Sequence, residues 1–84
     1  EELLTREKLK LYPNPASQRV SLEYGKMLPK ATITVLNSLG QALIKREVEL
    51  VSEIDLAISR YSEGVYTVRI ESDGRTSTRK FVKK

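Results

Sequence analysis

The chain has 84 residues, of which 15 are basic and 11 acidic, for a net charge of +4, and 39% are hydrophobic. This suffices for one small domain with a mainly aliphatic core, since there are four Tyr, one Phe and no Trp. The lack of both Cys and His excludes disulfides, thiolate metal sites, thiol nucleophiles and imidazole catalysis.

The charge excess is local. Residues 75–84 hold Arg75, Arg79, Lys80, Lys83 and Lys84 and no acid, so the rest of the chain nets −1. A basic segment of this kind can steer an acidic partner, or it can guard an edge strand against sheet-to-sheet aggregation. No apolar run approaches the roughly twenty residues needed to span a bilayer. Glu1-Glu2-Leu3-Leu4-Thr5-Arg6 does not resemble a secretory signal. A first residue of Glu rather than Met leads us to expect a piece of a longer protein.

Residues 1–8 are charged and without a clean period, and they read as a linker, although Leu3 and Leu4 would allow a turn of helix. The domain itself is expected over residues 9–84. Leu9 and Leu11 alternate against Lys10 and Tyr12, which predicts a first strand. Pro13-Asn14-Pro15 ends it, because proline lacks the ladder donor and restricts the residue before it. A second strand is expected over residues 19–24, with Val20, Leu22 and Tyr24 inward, followed by a loop over 25–30. The β-branched run at 31–36 predicts a third strand with Ile33 and Val35 inward, and Asn37-Ser38-Leu39-Gly40 reads as a hairpin connection.

The fourth strand, residues 41–50, puts Ala42, Ile44, Val48 and Leu50 in one register and Leu43 in the other. A bulge near its start reconciles them. A short fifth strand over 52–56 turns Ile54 and Leu56 inward. Leu56-Ala57-Ile58-Ser59-Arg60-Tyr61 is the one plausible helical turn, placed where the chain crosses between sheets. The sixth strand, 64–71, carries Tyr66, Val68 and Ile70 on one face. Asp73-Gly74 then tolerates the positive φ angles of a tight hairpin, and residues 76–82 complete seven strands. Short strands at this spacing predict an all-β, immunoglobulin-like antiparallel sandwich. Glu63-Gly64-Val65-Tyr66 has the form of a tyrosine corner, with the ring packed and the hydroxyl closed on upstream backbone.

Chemistry is mostly excluded. Glu47 with Glu49 and Glu53 with Asp55 are spaced two apart, so each pair shares the solvated face of its strand, which is no setting for general acid–base work. Nucleophile-elbow, EF-hand, phosphate-loop and dinucleotide patterns are missing. We expect no enzyme, no catalytic residue, no metal and no cofactor. Nucleic acid is not an expected partner either: Phe81 is the one aromatic in the basic strand and faces the core or a neighbouring strand, so no stacking platform accompanies the cations.

Five stretches carry a resemblance. They are Leu9-Lys10-Leu11-Tyr12-Pro13-Asn14-Pro15-Ala16, Ile33-Thr34-Val35-Leu36-Asn37-Ser38-Leu39-Gly40-Gln41, Ile54-Asp55-Leu56, Gly64-Val65-Tyr66-Thr67-Val68, and Thr78-Arg79-Lys80-Phe81-Val82-Lys83. In this order and spacing, over residues 9–84, the chain resembles a type A C-terminal sorting domain of the type IX secretion system of Bacteroidota. It departs from the usual pattern at Tyr61-Ser62-Glu63 and at Phe81, where an aliphatic residue is commoner. The resemblance implies a signal fused C-terminally to a cargo protein that is in transit through the periplasm. The signal directs the cargo through the outer-membrane translocon. A sortase-like peptidase then removes it at or before residues 1–8, leaving the cargo at the surface, joined to lipopolysaccharide, or outside the cell.

For such a signal we expect recognition through the last strand, with Lys80, Phe81, Val82, Lys83 and Lys84 presented to a receptor sheet and the three lysines supplying orienting charge. Gly64 and Tyr66 are expected to hold the sixth strand. Pro13, Asn14 and Pro15 are expected to fix the opposite end of the sandwich, and Gly40 and Asp55 to serve as structural motif positions. The competing class is a non-catalytic adhesion or spacer module that binds glycan or protein through loops. It calls for exposed aromatics or acidic ligands clustered on loops; residues 25–30 and 57–63 offer Tyr61 and Glu63.

Overall fold

Apolar and polar side chains alternate with period two along most of the chain, so each strand has one face to bury and one to leave in water. The computed structural model describes residues 9–84, and the linker expected over residues 1–8 lies outside the described residues. The strands are β1 (Lys10–Tyr12), β2 (Arg19–Leu28), β3 (Ala31–Leu36), β4 (Ala42–Val48), β5 (Val51–Ala57), β6 (Gly64–Ser72) and β7 (Arg75–Lys83). They pair antiparallel in two sheets, β1-β2-β5 and β4-β3-β6-β7. This is the expected immunoglobulin-like sandwich. Val20, Leu22, Tyr24, Ile54 and Leu56 of the first sheet pack against Ile33, Val35, Tyr66, Val68, Ile70 and Phe81 of the second. Each such aliphatic side chain taken fully out of water contributes about 1.5–3 kcal/mol.

The expected bulge is present: Val35 pairs with Ile44 and Leu36 with Ala42, which leaves Leu43 as the extra residue. Leu43 and Ile44 are both half-buried as a result. Ala42 and Leu50, expected in one register with Ile44 and Val48, are exposed, whereas Ile44 and Val48 are half-buried. β4 is an edge strand and Leu50 lies in the turn after it, with a φ of 52° and its amide donating to the Pro29 carbonyl at 3.3 Å. Two further expectations are corrected. β2 runs on to Leu28, which pairs with Val51 after a register shift beyond Glu23, where Gly25 takes a φ of 80°. Residues 56–61 form no helix: β5 extends to Ala57, and a single turn follows in which the Tyr61 amide donates to the Ile58 carbonyl at 3.1 Å. At the β6–β7 hairpin, Asp73 and Gly74 adopt φ of 53° and 76° between the paired Ser72 and Arg75, the two-residue turn that Asp-Gly favours.

Tyr24 is the largest fully buried side chain, and its hydroxyl has no hydrogen-bond partner among the described residues. Burial pushes that hydroxyl up to about 12 from 10.0. The folded value exceeds the unfolded one, so the stabilising contribution is whole below about pH 10 and is lost as pH rises toward about 12. Tyr24→Phe is therefore expected to flatten the alkaline fall in Tm. At pH 7 it should leave stability unchanged or raise it by up to about 1–2 kcal/mol, because an unpartnered polar group is removed. Thermal melts of the two proteins from pH 7 to 12 check this; an identical alkaline limb would contradict it.

Candidate functional site

Four of the five motif-bearing stretches, far apart in sequence, meet at one end of the sandwich. Asn37 organises the β3–β4 turn. Its Oδ1 accepts from the amides of Leu39 and Gln41, both at 3.0 Å, while its Nδ2 donates to Gln41 Oε1 at 2.8 Å. The Gly40 amide donates back to the Asn37 carbonyl at 3.0 Å, with Gly40 at a φ of 83°. Beside this turn lies the β5–β6 crossing, tied to the β1–β2 connection by the Ile58 amide donating to the Gln18 carbonyl at 3.0 Å. The two connections flank a shallow cleft of about 330 Å³ lined by Leu39, Leu43, Arg60, Tyr61, Glu63 and Val65, among others.

Tyr66 closes the corner as expected. Its hydroxyl donates to the Ser62 carbonyl at 2.5 Å, and its ring stacks on Phe81, with centroids 5.5 Å apart and planes inclined by 19°. Tyr61 packs against Tyr66 as well, with centroids 6.4 Å apart and planes inclined by 51°. Tyr61 is half-buried and lines the cleft.

Pro13, Asn14 and Pro15 do not sit at the end opposite the last strand; they lie alongside it. The Val82 amide donates to Asn14 Oδ1 at 3.0 Å, the Ala16 amide to the Val82 carbonyl at 2.8 Å, and the Lys84 amide to the Ala16 carbonyl at 2.8 Å. Ala16 thereby forms an isolated parallel bridge with Lys83. The physical reason is the span of the sandwich: β1 belongs to one sheet and β7 is the edge of the other, so the chain leaving β1 passes the gap between them. Nearby, Arg79 donates to the Leu9 carbonyl, which closes the same side.

A comparison with family models matches residues 10–84 to the secretion system C-terminal sorting domain. The chain belongs to that family. It is a type IX secretion sorting domain, a C-terminal signal for export across the outer membrane to the cell surface or the extracellular space. Comparison with the curated proteins finds no match.

In this sorting domain the five residues expected to meet the translocon fall into two sets. Phe81 and Lys83 point between the sheets and are 1% and 8% exposed, whereas Lys80, Val82 and Lys84 point outward. The Lys83 ammonium donates to the main-chain oxygen of Lys84 at 2.9 Å. Gly64 pairs with Lys83 at the mouth of the β6–β7 ladder, so it belongs to the same end, as do Gly40 and Tyr66. Asp55 does not. It lies on the outer face of the three-stranded sheet, where it accepts from Ser21 Oγ at 2.5 Å and stands 3.6 Å from Arg19. On the same face Tyr12 donates to Glu53, and that bond holds the Tyr12 hydroxyl up at about 12. Sequence reasoning missed Ala16 and Ser62 as partners of the last strand and of the corner. The Ser62 contact is local and belongs to the tyrosine-corner pattern, but nothing in the chain signals a bridge across more than sixty residues.

Proposed function

We propose that β7 is the element by which the type IX translocon reads this domain, and that the domain is later cut from its cargo at or before residues 1–8 by a sortase-like peptidase, with the cargo kept at the surface. The observation that carries recognition by β7 is its position. It is an edge strand that combines open main-chain groups with outward cations. The engagement of Val82 N and O on the side away from β6 fixes the alternation, so Lys80, Thr78 and Thr76 direct their amides and carbonyls to the same outer edge. Among the described residues no strand pairs with that edge. A receptor strand can add there through main-chain hydrogen bonds, while Lys80 and Lys84 orient an acidic partner.

Deleting residues 80–84 is a poor test, because it also removes Phe81 from the core. A charge reversal confined to the outward positions, Lys80→Glu with Lys84→Glu, separates recognition from folding. In a reporter fusion expressed in a host with the type IX system, surface delivery should fall roughly tenfold, equivalent to about 1.4 kcal/mol of lost interaction. The melting of the domain should meanwhile stay within about 0.5 kcal/mol of the parent, as for surface substitutions generally. Undiminished delivery would remove the proposed role of β7.

A further inference from the structure

The last strand is partly occupied by its own chain. Three hydrogen bonds from the 14–16 segment satisfy Val82 N, Val82 O and Lys84 N, the groups that would otherwise continue the open edge beyond Lys80. The segment is a poor substitute for a strand. Pro13 and Pro15 have no amide to give, so Ala16 supplies the one donor, and the acceptor for Val82 N is a side-chain oxygen where a strand would use a carbonyl. Both prolines follow cis peptide bonds.

We propose that Asn14-Pro15-Ala16 is a displaceable place-holder, and that the translocon receptor binds by strand exchange: an extended, acidic segment of the receptor replaces it along β7 and pairs continuously from Thr76 to Lys84. This rests on β7 being the recognised strand. The exchange is close to neutral over residues 82–84, where three hydrogen bonds are traded for three. It gains the main-chain groups of Thr76, Thr78 and Lys80, which no described strand uses. The acidic character of the incoming segment follows from the exposed Arg75, Lys80 and Lys84 along a stretch that contains no acid. Asn14, Pro15 and Ala16 themselves are uncharged, so the place-holder forgoes this attraction and is outcompeted by a strand that has it.

Covalent closure of the place-holder tests this directly. The domain contains no cysteine, and Ala16 and Lys83 are bridge partners, a placement that suits the roughly 4.4–6.8 Å between Cα atoms of a disulfide. The pair Ala16→Cys with Lys83→Cys, in a reporter fusion, oxidises in the periplasm and is followed by mobility on non-reducing gels. A control pair, Thr32→Cys with Glu47→Cys, locks the β3–β4 hairpin, whose residues are also cross-strand partners. The expected result is a fall in surface delivery of roughly tenfold for the first locked pair relative to the Lys83→Cys single variant, with the Ala16→Cys single variant and the control pair delivered normally. Normal delivery of the locked Ala16–Lys83 form overturns strand exchange. So does an equal block from the control lock, because export would then require general unfolding and not release of this segment. So does an unlocked domain that pairs edge to edge with a second copy in sedimentation and thereby fills β7 itself. Recognition by β7 fails separately, through undiminished delivery of the Lys80→Glu, Lys84→Glu protein.

Discussion

Phe81→Ala is expected to destabilise the domain by about 3–5 kcal/mol, the cost of emptying a fully packed aromatic site. Small domains have net stabilities of only about 5–15 kcal/mol, so this one substitution should remove a large part of the margin. Phe81 is 1% exposed and stacks on Tyr66, in a core with no second phenylalanine to redistribute the volume. Urea unfolding of the isolated domain measures the loss. The neighbouring Val82→Ala should cost far less, because Val82 is 41% exposed and removes little buried area. If Phe81→Ala and Val82→Ala shifted the midpoint equally, the inward orientation of Phe81 would be wrong. The contrast also bears on function. Residues 80–84 form one basic motif in sequence but two populations in space, and any loss of export in Phe81→Ala reports on folding.

That division was only half legible in the sequence. Period-two alternation placed Phe81 toward the core or a neighbouring strand, and the same rule located β3 residue for residue and the inward faces of β2, β5 and β6. Local turn chemistry was equally direct: Asp73-Gly74 and the Leu43 bulge both announce themselves within a few residues. The misreadings share a different origin. Gly25 and Pro29 suggested a loop, yet the chain continues as strand to Leu28 because Val51, more than twenty residues on, pairs with it. Ile58 looked helical, but its amide is claimed by the Gln18 carbonyl of a distant connection. Pro13-Asn14-Pro15 read correctly as a strand stop, while its place beside β7 depends on Asn14 reaching Val82 across the fold. Local rules fix what a residue prefers; long-range pairing fixes where it goes.

Tyr66 allows the corner and the core to be weighed against each other. Tyr66→Phe keeps the ring on Phe81 and removes the hydroxyl, leaving the Ser62 carbonyl to solvent, since Ser62 is exposed. The expected cost is about 1 kcal/mol, the net value of one hydrogen bond whose acceptor can rehydrate. Tyr66→Ala removes the ring as well and is expected to cost about 3–5 kcal/mol. A double-mutant cycle between Tyr66→Ala and Phe81→Ala should return a coupling of about 0.5–1.5 kcal/mol for the stacked pair. The order of these values decides what the corner does. If Tyr66→Phe approached the alanine variant, the hydroxyl bond would be setting the path of the 58–63 crossing and, with it, the start of β6. A small phenylalanine effect with a large alanine effect instead makes Tyr66 a core residue first. The last strand is then held in register by ring packing through Phe81, and the motif end keeps its shape even when the corner bond is lost.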